Sequence, residues 1–164
     1  MASVTHKLTD TTGIRIKDAF VVIVKTEWNE HVVSVLEKGC TEVLKENNIS
    51  YKVIEVPGAF EIPFAVKHCW KGCGLRKPSA FITLGCVIRG DTPHFDYVCE
   101  GVTHGVMQLN LDLPVPVIFG VLTVNDQQQA DDRAGGKHGH KGKECAAAAI
   151  KMIAFAQSSK KPDP

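Results

Sequence analysis

His94 follows Arg89, Gly90, Asp91, Thr92 and Pro93, a spacing suited to proton transfer beside a bound anion. Threonine favours the residue that caps a helix N-terminus. Proline favours the first helical position, because it lacks an N–H that the helix could not use there. A helix is therefore expected to open at Thr92, with His94 in its first turn. Unpaired backbone N–H groups and the positive end of the helix dipole favour a phosphate there, and the amides of Asp91 and Thr92 are the candidate donors. The plainer alternative is a helix-end histidine that faces water. Gly90, the two amides and the cation Arg89 together favour chemistry, and an imidazole near a phosphate can pass a proton. The stretch points to an enzyme.

Other residues offer parts that such a site would use. Arg133 and Lys141 flank the glycine-rich segment over residues 135–142. As ordinary solvated charges they need no role, but an arginine can grip a phosphate bidentately. Trp28 either caps a core or offers its face to an electron-poor heterocycle. Phe60 and Glu61 lie in a Pro57-Gly58 turn, where the carboxylate is either a surface charge or an acceptor for a hydroxyl-rich ligand. His138 and His140 have no acidic or thiolate partner nearby in sequence, and Cys69 with Cys73 lacks the second ligand pair of a zinc motif, so no metal is expected. The glycine-rich segment also lacks the Gly-Lys-Ser/Thr ending of a phosphate-binding P-loop. Nucleotide hydrolysis has no other support.

The elements that must position these residues alternate. Residues 19–24, 51–56, 80–88 and 115–124 are strand-length runs rich in apolar and β-branched side chains. Apolar positions 32, 33, 35, 36, 40, 43 and 44 give a helical stripe over residues 30–47, stopped by Asn47 and Asn48. A second helical segment leads from the Pro57 turn to about residue 71, and the one holding His94 runs to about residue 111 with positions 95, 98, 99, 102, 106 and 109 on one face. Asp126 is expected to cap a short helix to residue 134, and an alanine-rich helix spans residues 143–157. This alternation predicts a parallel sheet with helices on both faces and ligands at the carboxyl ends of the strands. Residues 1–13 are expected to form an extended arm, residues 14–158 one domain, and residues 159–164 a frayed tail.

Composition excludes several partners. Nineteen Lys plus Arg against eighteen Asp plus Glu leave a net charge of +1, so no global field recruits nucleic acid or an acidic membrane surface. The 164 residues suffice for one core without metal or disulfide staples. The six cysteines lie mostly inside apolar segments and read as reduced core thiols, which favours a cytoplasmic setting. No apolar run reaches the roughly eighteen residues of a membrane span, and the start has no signal-peptide core.

Five stretches then fall into one order: Trp28-Asn29, Val56 to Pro63, Leu84 to Cys99, Val117 to Thr123 and Asp132 to Lys137. Over about residues 15–157 this pattern resembles the 6,7-dimethyl-8-ribityllumazine synthases of riboflavin biosynthesis. The resemblance implies a three-layer α/β/α, flavodoxin-like fold, whose four-stranded parallel sheet gains an N-terminal arm strand donated between subunits. It implies a transferase that condenses 5-amino-6-(D-ribitylamino)uracil with 3,4-dihydroxy-2-butanone 4-phosphate, releasing phosphate and water, with no metal or organic cofactor.

By similarity, Trp28 stacks on the pyrimidine, Ala59, Phe60 and Glu61 hold the ribityl chain, and Cys86, Val87 and Ile88 line the heterocycle through their backbone. Phe119 comes from a neighbouring subunit, and Lys141 joins the same substrate. Asp91, Thr92 and Arg133 bind the phosphate, His94 is the acid/base and Glu144 assists. The resemblance also implies a homo-pentamer. The short segment over residues 135–142 favours assembly into an icosahedral shell, with which a riboflavin synthase could associate. The alternative is a relative that binds riboflavin or FMN, or builds a shell, without catalysis; intact Phe60, Glu61, His94 and Arg133 favour the enzyme.

Overall fold

A computed structural model of the chain describes residues 7–159. The first part of the expected arm and residues 160–164 of the expected tail lie outside the described residues. Residues 7–9 form a helical turn and not extended chain, a departure from the expected arm. Lys151 Nζ holds this turn by donating to the carbonyls of Lys7 and Leu8, both at 3.0 Å.

The four expected strands form. They are β1 (Phe20–Thr26), β2 (Ser50–Val56), β3 (Ala80–Ile88) and β4 (Val117–Val124), all parallel and ordered β2-β1-β3-β4. The central strands β1 and β3 are buried on both faces over most of their length, which is why their sequences read as continuous apolar runs. Helices α1 (Glu30–Glu46) and α5 (Lys141–Ser158) cover one face, and α2 (Ile62–Gly72) and α3 (His94–Asp112) the other. This is a three-layer, flavodoxin-like α/β/α fold. The α1 stripe buries Val32, Val33, Leu36, Cys40, Val43 and Leu44, but Val35 turns out to be 41% exposed.

After β4, Asp126 caps α4 (Gln127–Arg133) as its residue type predicts, accepting from the Gln129 N–H at 2.8 Å. The glycine-rich segment after α4 folds back on itself. Strands β5 (Ala134–Gly136) and β6 (Gly139–His140) form a small antiparallel hairpin, and α5 opens at Lys141, two residues earlier than the composition suggested. Gly135 (φ +108°) and Gly139 (φ +89°) supply the left-handed backbone that the hairpin needs. Lys137 Nζ meets Asp132 Oδ2 at 3.1 Å and the His138 N–H donates to the Asp132 carbonyl at 2.9 Å, tying the tip to the end of α4.

All six cysteines are free thiols; Cys40, Cys86 and Cys145 are buried and the others half-buried. Among the described residues, no helix is long and apolar enough to cross a membrane.

Candidate active site

The carboxyl ends of β1 and β3 are locked together by one asparagine. Asn29 adopts a left-handed conformation (φ +58°) immediately before α1, and its side-chain amide donates to the Cys86 carbonyl at 2.8 Å. Its neighbour Trp28 donates its N–H to the Pro57 carbonyl at 3.2 Å, so the β1 end is also tied to the turn after β2. The indole itself is 73% exposed. A Cβ at Gly58 would lie 3.0 Å from Glu61 Oε2 and 3.5 Å from Trp28 Cδ1, so the carboxylate and the indole both close over the bare glycine backbone.

Ala59, Phe60 and Glu61 form a single 3-10 turn leading into α2. Two glycines of α3 receive this segment. A Cβ at Gly101 would overlap the edge of the Phe60 ring, 2.9 Å from Cδ2, and one at Gly105 would stand 2.9 Å from Pro63 Cβ. The turn therefore docks on α3 through paired notches one helical turn apart.

His94 begins α3, although the local geometry differs from expectation. Pro93, and not Thr92, is the cap (φ −61°, ψ −6°). No side chain caps the helix, and the Pro93 carbonyl accepts from the Asp96 N–H at 3.0 Å. Proline's ring already holds φ at a helical value, so the backbone turns without help from threonine. Gly90 likewise does not use its conformational freedom: its φ is not left-handed, and a Cβ there would meet nothing within 4 Å. Arg89, expected beside the anion site, is directed elsewhere. Its NH2 bonds Asp96 Oδ1 at 3.0 Å, its Nε bonds Asn125 Oδ1 at 3.1 Å, and its guanidinium lies 4.2 Å from the Phe95 ring centroid. It fastens the β3 end to the first turn of α3.

These residues surround a cavity of about 710 Å³. Its wall contains Trp28, Ala59, Phe60, Glu61, Cys86, Val87, Ile88 and His94, bringing eight of the expected residues together at the strand ends. Four more, Asn29, Gly58, Tyr97 and Val98, also line it. Tyr97 and Val98 were legible in principle, because they follow His94 at helical spacings of three and four. Burial pushes the Cys86 thiol up to about 11, so this wall residue is a poor nucleophile at neutral pH.

Asp91 and Thr92 are exposed beside the mouth but are not among the lining residues. Phe119, Arg133, Lys141 and Glu144 do not line the cavity of their own chain either. Phe119 is half-buried on β4. Arg133 ends α4, where NH1 and NH2 grip Glu144 Oε1 and Oε2 at 2.9 and 2.8 Å, and NH1 also donates to the His138 carbonyl. The arginine holds the Glu144 carboxyl below the ordinary carboxylate range, and the Arg133 guanidinium is held above its own. The pair's contribution is therefore complete above about pH 4.5 and is lost as pH falls through the lower folded value of Glu144. Glu144 thus pairs with Arg133 and does not line the cavity of its own chain. Among the described residues, no group of three or more His, Cys, Asp or Glu side chains stands together as a metal site.

A wide cleft at the carboxyl ends of parallel strands, lined by an indole, a carboxylate and a helix-end histidine, marks a flavodoxin-like α/β protein with a small-molecule site. The family model described as 6,7-dimethyl-8-ribityllumazine synthase matches residues 18–157. A protein of that name from Porphyromonas gingivalis is 46% identical over 93% of this chain and 96% of its own length. Others of the same name, from Bacteroides fragilis and Phocaeicola vulgatus, are 49% identical over 85% of the chain and 97% of their length, and 44% over 98% of both. The chain belongs to the 6,7-dimethyl-8-ribityllumazine synthase family.

Proposed function

We propose that the chain condenses 5-amino-6-(D-ribitylamino)uracil with 3,4-dihydroxy-2-butanone 4-phosphate to 6,7-dimethyl-8-ribityllumazine, releasing phosphate and water. The observation that carries this reading is the single cleft that joins Trp28, Ala59 to Glu61, the end of β3 and His94. Trp28 stacks on the pyrimidine, and Glu61 accepts from ribityl hydroxyls beside the 3-10 turn. The backbone of Cys86, Val87 and Ile88 meets the edge of the heterocycle. The amides of Asp91 and Thr92 and the guanidinium of Arg133 take the phosphate.

The pyrimidine's primary amine attacks the ketone and a first water leaves, phosphate is then eliminated to give an enol that becomes a carbonyl, and the ribityl-bearing amine attacks that carbonyl and closes the ring with loss of a second water. His94 relays protons through these steps, for which an imidazole both donates and accepts. Holding the two reactants together removes much of the barrier without any catalytic group. His94→Ala is therefore expected to slow turnover about tenfold to a hundredfold and to leave activity measurable. Lumazine fluorescence follows this directly: an unaltered rate, or a fall beyond about ten-thousandfold, contradicts the assigned role. For the reaction itself, purified protein is mixed with both substrates, and product no faster than the uncatalysed background would sink the synthase reading.

That Phe119, Arg133 and Lys141 stand outside the cleft of their own chain supports a site completed by a second copy, and the family resemblance supports a homo-pentamer. Residues 14–158 form the catalytic domain. The shortness of the segment over residues 135–142 supports further assembly of pentamers into an icosahedral shell, able to associate with a riboflavin synthase. Free thiols throughout support a cytoplasmic setting. Sedimentation as a single pentamer at micromolar concentration would exclude the shell.

A further inference from the structure

The hairpin between Arg133 and Lys141 is held to α1 by a contact that no step above uses. His140 ends β6, and its ring fills the notch left by Gly39 on α1. A Cβ at Gly39 would overlap the ring at Cε1 and lie 2.8 Å from Nδ1. From the hairpin side, a Cβ at Gly135 would stand 3.3 Å from the ring's Cδ2. Nδ1 is buried with no hydrogen-bond partner among the described residues, so fit holds this ring more than polar bonding does.

Charges surround the seat in pairs. Lys143 Nζ meets Glu42 Oε2 at 3.3 Å, joining α5 to α1, and Glu144 is engaged by Arg133 at 2.8 Å. Burial, and then Lys143, lower the ring's pKa below its ordinary 6.5, so His140 is neutral at neutral pH. A neutral ring suits a packed seat, because a charged one would lose solvation there without a dedicated partner.

We propose that His140 is a positioning residue: seated on Gly39, its ring fixes the hairpin that follows Arg133, so that the guanidinium keeps one position, and this sets the affinity for the phosphorylated substrate. The proposal rests on the synthase reading and adds a specificity determinant to it. A phosphate-gripping guanidinium displaced by about 1 Å loses up to about a hundredfold in effect.

Steady-state kinetics with each substrate varied in turn test this on the assembled wild-type protein and on His140→Ala, Gly39→Ala, His140→Phe and Arg133→Ala. His140→Ala and Gly39→Ala are each expected to raise KM for 3,4-dihydroxy-2-butanone 4-phosphate about tenfold, with pyrimidine KM and saturating kcat within about twofold of wild type. The double variant is expected to be no worse than either single, because both remove the same seat. His140→Phe keeps a ring in the notch and is expected to retain near wild-type KM.

Folded His140→Ala with unchanged KM for the phosphorylated substrate overturns the proposal. So does His140→Phe as impaired as His140→Ala, which would place the requirement in the ring nitrogens. His140→Ala only removes atoms, so it carries the test even if Gly39→Ala does not fold. Wild type without lumazine production overturns the synthase reading together with this inference. Wild-type turnover with a high KM in Arg133→Ala, but none in His140→Ala, overturns the inference alone.

Discussion

Arg133→Ala is expected to lower kcat/KM for 3,4-dihydroxy-2-butanone 4-phosphate by about a hundredfold to a thousandfold, equivalent to about 3–4 kcal/mol, while KM for the pyrimidine changes little. Two effects add. The substrate loses a bidentate cation, and Glu144, whose side chain is only 12% exposed, loses the partner that keeps it ionised at low cost. The remaining carboxylate then faces the incoming phosphate with its own charge uncompensated. Arg133→Ala combined with Glu144→Gln is therefore expected to recover part of the loss, about tenfold, by removing that repulsion. Steady-state kinetics with the phosphorylated substrate varied at saturating pyrimidine check both numbers. Unchanged saturation in Arg133→Ala would exclude the residue from phosphate binding, and a double variant worse than the single would show that Glu144 contributes something other than holding Arg133.

The second large effect concerns stability. Gly120 lies within β4, where a Cβ would overlap the Thr83 carbonyl oxygen and stand 2.8 Å from Cys145 Sγ and 2.9 Å from Leu84 Cδ2. The obstacle includes backbone of the neighbouring strand, so a rotamer change cannot relieve it. Gly120→Ala must push β3 from β4 or lift α5, and is expected to destabilise by about 3 kcal/mol, lowering Tm by roughly 6–12 °C for a domain of this size. Gly72→Ala is the matched control. It closes α2 with nothing within 4 Å of an added Cβ, and is expected to be neutral or stabilising by up to about 1 kcal/mol. Thermal unfolding of both variants beside wild type decides: equal melting temperatures would mean that the β3–β4 contact at Gly120 yields without cost.

Much of the fold was legible because its signals are local. The runs behind β1 and β3 are buried on both faces, so every position is apolar and the strands announce themselves. Asp126 before Gln127 caps α4 through a hydrogen bond only three residues long. The hairpin over residues 134–140 is not legible in the sequence, for the opposite reason. Its two short strands have no alternation to read, and glycines that permit a hairpin equally permit a loop. Thr92 was a sound cap by residue type, yet Pro93, already helical in φ, takes that position.

The chain by itself determined which side chains would meet at the cleft. Trp28, Phe60, Glu61 and His94 each lie within a few residues of a strand's carboxyl end, and a parallel sheet brings all such ends to one edge. Tertiary structure alone decided what the charges do. Arg89 and Arg133 look alike as free cations close to glycines, but one is spent on Asp96 and the other is aimed by Glu144. His140 looked like a loop residue until α1 supplied Gly39, about a hundred positions away. The physical reason is range. The existence of each strand and helix follows from patterning within its own segment, whereas the partner of a long charged side chain, or the notch that accepts a ring, is set by which distant elements pack together.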